Sequence, residues 1–177
     1  MRLRLWISLA FGGPMKIRQC FLPLFAFAFA LGANAQTRTA KPGRSAKLSA
    51  EWKEARQISP AELEKRLNGP KSARPLILQV GFKVLYDGGH IPGAVFAGPA
   101  STAEGLARLK EAVAKIPHDK EVVIYCGCCP WEKCPNVKPA YEALRQMGFT
   151  RVVVLLIPQD FAHDWIGQGY PVERKKS

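Results

Sequence analysis

The sequence predicts an α/β protein with three layers, in which helices cover both faces of a parallel sheet. Three short apolar runs, at residues 75–80, 121–125 and 151–157, are typical of strands buried on both faces. Helical stretches separate these runs, and strands that alternate with helices form parallel sheets. Ligands of such sheets bind beyond the carboxyl ends of the strands. We therefore look for a functional site at residues that directly follow a strand.

Capping sequences predict the first two helices. Residues 59–62, Ser-Pro-Ala-Glu, form a capping box with proline at the first helical position, and the helix is expected to end near Leu67. Residues 101–104, Ser-Thr-Ala-Glu, form a second capping box. An apolar stripe at helical spacing follows it, made of Leu106, Leu109, Ala112, Val113 and Ile116.

The remaining elements are shorter. Residues 88–93 predict a turn and residues 94–97 a short strand. A further helix is expected to begin near residues 136–138, because proline at position 139 is tolerated only in a first turn. Gly148 stops this helix, and residues 161–165 predict a last, short one.

The first 35 residues have the pattern of a secretory signal peptide. A short basic start at residues 15–18 precedes an apolar stretch at residues 21–31, and Ala33-Asn34-Ala35 matches a cleavage site. Met15 is an alternative start of translation. We expect residues 1–35 to be removed and the mature protein to be periplasmic or secreted; a retained anchor helix is the alternative.

Composition and charge constrain the rest of the chain. The 177 residues include 26 lysines and arginines against 14 acids, and 47% are apolar, which excludes wholesale disorder. We interpret residues 36–55 as a flexible basic linker, 56–173 as one domain and 174–177 as a basic tail. No aromatic residues are interleaved with the cations at residues 38–47, so no nucleic-acid partner is expected. No membrane span is expected once the signal peptide is removed.

Four cysteines within nine residues are the strongest functional signal. Cys126 directly follows a predicted buried strand and precedes a helix, where loop N–H groups and the helix dipole stabilise an anionic sulfur. We therefore expect a lowered pKa at Cys126 and assign it as the nucleophile, because the thiolate is the reactive form. Gly127 and the neighbouring loop amides are expected to hold the sulfur.

The other cysteines, Cys128, Cys129 and Cys134, leave three interpretations open. Cys126 and Cys129 have Cys-x-x-Cys spacing, so Cys129 is the first candidate for a resolving thiol in thiol–disulfide exchange or sulfur relay. Cys134 and Cys128 are the next candidates. Four thiolates also suit Cu(I) or Zn, in a binding module rather than an enzyme. In an oxidising compartment they could instead form structural disulfides, for example Cys128–Cys134.

Four segments in order resemble the rhodanese-like domain family. They are the entry at residues 58–60, the turn at residues 89–94, the strand–loop–helix unit from residue 122 to Gly148-Phe149, and Trp165 followed by residues 169–172. The resemblance covers the domain at residues 56–173. It implies a sulfurtransferase that carries sulfane sulfur as a persulfide on Cys126, with no organic cofactor. The partners implied are a small sulfur-containing anion, thiosulfate or a persulfide, and an acceptor thiol or cyanide; the thiol could belong to a protein.

The active loop departs from the family pattern. It is longer than usual and has no arginine, so Lys133 is expected to help attract an anionic donor. Gln79 and Gly81 stand where the family commonly has aspartate and arginine. Trp131 is expected either to shield the persulfide and contact a partner or to anchor the loop. Glu132, six residues after Cys126, would repel phosphate, which argues against a phosphatase.

Overall fold

The computed structural model describes residues 52 and 54–174. Within them the chain forms one five-stranded sheet in which every neighbouring pair of strands is parallel. The strand order is β1-β5-β4-β2-β3. The strands are β1 Arg56–Ile58, β2 Leu76–Gln79, β3 Val95–Phe96, β4 Val122–Tyr125 and β5 Val152–Leu155. The parallel sheet predicted from the sequence is confirmed.

Strand β4 lies at the centre and separates two apolar cores. It pairs with β2 on one side and β5 on the other, and Tyr125 at its end lies opposite Gln79 of β2. All four residues of β4 are buried. Because side chains alternate along a strand, Val122 and Ile124 enter one core while Val123 and Tyr125 enter the other.

Helices cover both faces of the sheet, as predicted. The described residues contain five, namely α1 Pro60–Leu67, α2 Lys83–Gly88, α3 Ala103–Val113, α4 Val137–Gln146 and α5 Phe161–Asp164. Buried residues of α3 and α4 share the core of Val122, whereas those of α1 and α5 share the core of Val123. The helix residues that enter the two cores form apolar stripes, which alternate in the sequence with exposed polar residues.

The helix starts agree closely with the capping patterns. Ser59 caps α1 and accepts a hydrogen bond from the N–H of Glu62 at 3.2 Å. The second cap lies one residue later than predicted: Thr102, not Ser101, accepts from the N–H of Gly105 at 3.0 Å. Helix α4 begins at Val137 after Asn136, inside the predicted window.

Two elements were missed. Strand β1 has three residues, and only Ile58 among them is buried, so no apolar run marks it. Helix α2 contributes no buried residue to either core; its Val84 and Leu85 are exposed apolar side chains. Neither element has the buried face on which a pattern prediction depends.

The predicted signal peptide at residues 1–35 lies outside the described residues, as does most of the linker. Two linker residues are described and both contact the domain: Ala55 is buried, and Trp52 packs edge-on against Tyr141. Packing therefore begins before residue 56. No described helix is long and apolar enough to cross a membrane. Of the basic tail, Arg174 is described and residues 175–177 are not.

Candidate active site

Cys126 lies at the carboxyl end of the central strand, where the sheet topology predicts a site. It follows Tyr125, the last residue of β4, and is buried. The chain turns sharply after it, because Gly127 has a φ of +88° and its carbonyl accepts a hydrogen bond from the N–H of Phe161 at 3.1 Å. A Cβ on Gly127 would meet Phe161 Cβ at 2.9 Å, so both conformation and space favour glycine here.

The four loop cysteines are free thiols whose sulfurs form a closed ring of contacts. Sγ of Cys126 lies 3.3 Å from Sγ of Cys128, which lies 3.1 Å from Sγ of Cys129. Cys134 closes the ring through hydrogen bonds with both Cys129 and Cys126. In this ring Cys126 has Cys128 and Cys134 as its neighbours, and Cys129 occupies the opposite corner. Cys126 and Cys134 are buried, Cys129 is half-buried and Cys128 is exposed.

The negative charge of the ring is expected on Cys134 rather than on Cys126. The hydrogen bond from Cys126 and the backbone N–H groups of Asn136 and Val137, at the start of α4, lower the pKa of Cys134 to about 5. The hydrogen bond with Cys134 and burial both raise the pKa of Cys126. Burial also raises the pKa of Cys129, to about 12.

This distribution corrects the lowered pKa that the sequence predicts at Cys126. The amino end of the helix following the loop does stabilise a thiolate, but the sulfur that its N–H groups reach belongs to Cys134. The raised pKa of Cys126 and the lowered pKa of Cys134 favour Cys126 as the donor of the hydrogen bond that the two thiols share.

Asn136 connects the sulfur ring to the neighbouring helix. Its side chain is fully buried, its Nδ2 donates to Sγ of Cys126 at 3.5 Å, and its Oδ1 accepts from the N–H of Ser101 at 3.0 Å. The sequence places Asn136 at the expected start of a helix but does not predict a role for it.

Gln79 and Gly81 form the other side of the Cys126 environment. Gln79 Nε2 donates to the carbonyl oxygen of Cys126 at 3.0 Å, while its Oε1 is buried without a hydrogen-bond partner among the described residues. A Cβ on Gly81 would lie 2.7 Å from Sγ of Cys126, so this glycine leaves the space that the sulfur occupies. Sequence reasoning noted these two residues only as departures.

A pocket of about 410 Å³ opens over Cys126, Gly127 and Cys128. Its walls come from β2, α2, α5 and the 3-10 turn Ile166–Gln168, and they include Gln79, Val84, Leu85, Phe161 and Ile166. The carboxyl edge of the sheet thus carries both Cys126 and a cavity large enough for a small molecule.

Comparisons with known proteins agree with this architecture. The rhodanese-like domain model matches residues 59–157, more than half of the chain. The chain belongs to the rhodanese-like domain family. The sequence-based identification of the family is therefore confirmed.

Solved structures show the same fold for this rhodanese-like domain. BH2092 from Bacillus halodurans superposes with a TM-score of 0.52 at 19% identity, covering 75% of this chain and 87% of that one. The Alr3790 protein from Anabaena superposes with a TM-score of 0.51 at 24% identity, covering 67% of this chain and 82% of that one. The separately solved rhodanese-like domain of Alr3790 superposes with a TM-score of 0.50 at 22% identity, covering 67% of this chain and 79% of that one. Among curated proteins, none matches the sequence significantly.

Four of the predicted site residues of this rhodanese-like domain do not line the pocket: Cys129 and Cys134, which belong to the sulfur ring, and Lys133 and Trp131. Lys133 is exposed on the 3-10 turn Trp131–Lys133 and does not line the pocket. Trp131 packs edge-on against Trp52, with ring centroids 5.9 Å apart. The backbone N–H of Trp131 donates to the carbonyl of Ile157 at 2.9 Å. These contacts favour the anchoring role for Trp131.

The sulfur ring could also hold a soft metal ion. The Sγ atoms of Cys126, Cys128 and Cys134 all lie within 4.8 Å of one another. Thiolate ligands select Cu(I) or Zn, so the donor set fits the binding alternative drawn from the sequence.

Proposed function

We propose that the protein is a sulfurtransferase that carries sulfane sulfur as a persulfide on Cys126. The observation that carries the proposal is the hydrogen-bonded pair of Cys126 and Cys134 at the carboxyl end of β4, beneath the pocket. Cys126 faces the pocket, and Cys134 supplies a base that is already ionised at neutral pH.

In the first step, Cys134 accepts the proton of Cys126 as Cys126 attacks the sulfane sulfur of a donor. A bond forms between Cys126 Sγ and that sulfur, the donor's own bond to it breaks, and the leaving group departs with the electron pair. With thiosulfate the leaving group is sulfite; with a hydropersulfide it is a thiolate. The N–H groups of Cys128 and of the Asn136 side chain, which donate to Cys126 Sγ, stabilise negative charge there.

In the second step, the outer sulfur leaves Cys126. An acceptor thiolate attacks it, the sulfur–sulfur bond breaks, and Cys126 returns to the thiolate while the acceptor becomes the persulfide. Alternatively, a neighbouring cysteine attacks Cys126 Sγ itself, which forms a disulfide and releases hydrosulfide. That disulfide requires a reduced dithiol partner to regenerate the enzyme, which is the thiol-exchange form of the same function.

The proposal is tested by the intact mass of the reduced protein before and after a sulfur donor, with Cys126→Ser as the control. A gain of one sulfur atom that the variant lacks supports it. No gain from thiosulfate, hydropersulfide or inorganic polysulfide would overturn it. The protein is reduced and the reductant is then removed without air before the donor is added, because a disulfide within the ring would block Cys126 and a remaining thiol reductant would remove the persulfide sulfur.

We also propose that the protein works in the periplasm or outside the cell, since residues 15–35 have the order of a signal peptide. Fractionation of the cells with amino-terminal sequencing tests this. A mature chain beginning at Gln36 in the exported fraction supports the proposal, and an intact leader in the cytoplasm would overturn it.

A second candidate function is the storage or transfer of a soft metal ion, favoured by the three sulfurs within 4.8 Å of one another. Cu(I) or Zn retained after anaerobic purification and gel filtration would support it. Loss of the metal in Cys134→Ser, with persulfide formation undetectable in the metal-free protein, would favour it over sulfur transfer.

A further inference from the structure

The pocket over Cys126 is poorly suited to an anion. None of the described residues that line it is lysine or arginine. The lining includes one carboxylate, that of Asp160. The carboxylate of Asp160 accepts a hydrogen bond from the N–H of His163 at 2.8 Å, which keeps it in place at the start of α5. A thiosulfate dianion would enter this site with no cation in the lining to offset the loss of its hydration.

Apolar side chains form the mouth of the pocket. Val84, Leu85 and Ile166 line it and are 75%, 39% and 36% exposed. Phe161, at the start of α5, contributes a more deeply buried wall. A donor with an apolar substituent would remove this surface from water, which is favourable, whereas a small hydrophilic anion would not.

The buried amide of Gln79 adds a requirement that the bound molecule carry a hydrogen-bond donor. Its Nε2 is committed to the carbonyl oxygen of Cys126, and this bond fixes which end of the amide faces which way. The other end, Oε1, is an acceptor without a partner among the described residues, on a side chain that is 1% exposed and lines the pocket. A buried unpaired acceptor is costly, so the bound donor is expected to bring a hydrogen-bond donor to it.

We propose that this pocket selects neutral organic hydropersulfides, RSSH with an apolar R group, over thiosulfate, and that Gln79 Oε1 is the specificity-determining acceptor of the S–H group. This inference rests on the proposed function and names its donor. The neutral form is also the electrophilic one, since an ionised persulfide would repel an attacking thiolate.

The step balances without a further reactant. Cys126 Sγ attacks the terminal sulfur of RSSH after its proton has passed to Cys134, and the bond between the two donor sulfurs breaks. RS⁻ leaves with the electron pair and takes the proton from Cys134. Cys126 becomes the persulfide and RSH is the product. No net oxidation or reduction takes place.

The test compares initial rates of sulfur addition to Cys126 by intact mass, with benzyl hydropersulfide released from a protected precursor, thiosulfate, and inorganic polysulfide. We expect the hydropersulfide to react about 100-fold faster than thiosulfate. Equal rates would overturn the inference and leave the proposed function standing, as would labelling by polysulfide alone. No labelling by any donor would overturn both.

Gln79→Met tests the acceptor, since methionine is similar in length and has no amide oxygen. We expect the rate with the hydropersulfide to fall about tenfold further than the rate with thiosulfate, which corresponds to one hydrogen bond, because both donors lose the support of the Cys126 carbonyl but only the hydropersulfide loses the acceptor. If Gln79 acts only by supporting the backbone of Cys126, both donors slow by the same factor, and the specificity role is overturned.

A charge placed at the mouth tests the electrostatic part. Val84→Lys adds a cation to the pocket rim and is expected to raise the thiosulfate rate relative to the hydropersulfide rate about tenfold. Val95→Lys is the matched control, because Val95 is 40% exposed and lies outside the pocket lining. If both variants shift the ratio equally, the pocket does not select by charge.

Discussion

Asn136 donates a hydrogen bond from its fully buried side chain to Sγ of Cys126, at 3.5 Å. Its other amide atom, Oδ1, accepts from the N–H of Ser101, so one residue joins Cys126 to the loop before α3. This double contact makes Asn136 a positioning residue for the sulfur and a structural link between the loops.

Replacement of Asn136 by alanine should destabilise the fold. It leaves the N–H of Ser101 without its acceptor and should lower the free energy of unfolding by about 1–3 kcal/mol, measured by urea denaturation. Asn68→Ala is the matched control: Asn68 is exposed at the end of α1, and its loss should change the same free energy by less than about 0.5 kcal/mol. Equal effects would contradict the structural link.

Asn136→Asp should separate stability from sulfur chemistry. A carboxylate can still accept from Ser101, but it replaces the N–H donor facing Cys126 with a negative oxygen. We expect persulfide formation on Cys126 to slow about tenfold or more, because developing charge on the sulfur is repelled instead of stabilised. A variant with unchanged labelling would show that this hydrogen bond does not contribute to reactivity.

Cys134 should set the pH dependence of sulfur uptake. The hydrogen bond from Cys126 lowers the pKa of Cys134 to about 5, so Cys134 is an ionised base above that pH. The rate of persulfide formation should therefore rise through pH 5 and level off near neutrality. In Cys134→Ser the rate should rise only at alkaline pH, because the base is gone and burial still raises the pKa of Cys126. Profiles that coincide would exclude Cys134 as the base.

The same ionisation should appear in stability. Between about pH 5 and about 8.5 the unfolded chain binds the proton of Cys134 and the folded chain does not, so the free energy of unfolding rises with pH in this window. Below pH 5 the contribution is lost. At higher pH Cys126 lowers the free energy of unfolding as the pH rises, because the folded chain keeps the Cys126 proton that the unfolded chain loses. Urea denaturation under reducing conditions should show a smaller rise between pH 5 and 8 in Cys134→Ser.

The order of sulfurs in the ring predicts which thiol resolves Cys126. Cys128 contacts Cys126 at 3.3 Å, whereas the contacts of Cys129 are with Cys128 and Cys134. Mild oxidation followed by peptide mapping should pair Cys126 with one of its two ring neighbours, Cys128 or Cys134, and the double variant Cys128→Ser/Cys134→Ser should remove that disulfide. A first disulfide between Cys126 and Cys129 would instead support the Cys-x-x-Cys assignment made from spacing.

Much of the fold could be predicted from local patterns. Strands β4 and β5 are runs of four buried apolar residues, and Ser59 caps α1 as its sequence requires. Helix α2 could not be found in this way, because Val84 and Leu85 face the pocket mouth instead of a core. An element that serves the site carries no buried stripe for a pattern to detect.

The site was predictable in its composition but not in its electrostatics. Spacing alone placed four cysteines after β4. The location of the charge depends on the path of the loop, which brings the N–H groups at the start of α4 to Cys134 rather than to Cys126. The unpaired oxygen of Gln79 likewise depends on β2 lying beside β4, a pairing between residues far apart in the chain.

Trp131 should stabilise the long loop. It packs edge-on against Trp52, which in turn packs against Tyr141 of α4. Trp131→Ala should lower the free energy of unfolding by about 1–2 kcal/mol. This is less than the loss at a fully buried tryptophan, because Trp131 is half-buried. Trp131→Phe should recover much of the lost stability, since it keeps an aromatic ring against Trp52. Alkylation of the half-buried Cys129 should also become faster in the alanine variant. No change in either quantity would leave the partner-contact role for Trp131.

The last prediction concerns Gly81, because the space it leaves is filled by Sγ of Cys126. A Cβ at this position would lie 2.7 Å from Sγ of Cys126 and 2.9 Å from Nε2 of Gln79, so Gly81→Ala must displace one of them. We expect persulfide formation to fall about 100-fold while the sheet is retained, since a shift of about 1 Å at a reacting atom has that effect.

Gly69→Ala is the control for the loss of a glycine, because its Cβ approaches the carbonyl of Arg66 at 3.2 Å, at the end of α1 and outside the sulfur ring. Its labelling rate should stay within about twofold of the unmodified protein. Circular dichroism and urea denaturation of both variants distinguish a displaced sulfur from general unfolding. If Gly81→Ala folds and labels at the normal rate, Cys126 has room to move, and the packed position of its sulfur is not required for catalysis.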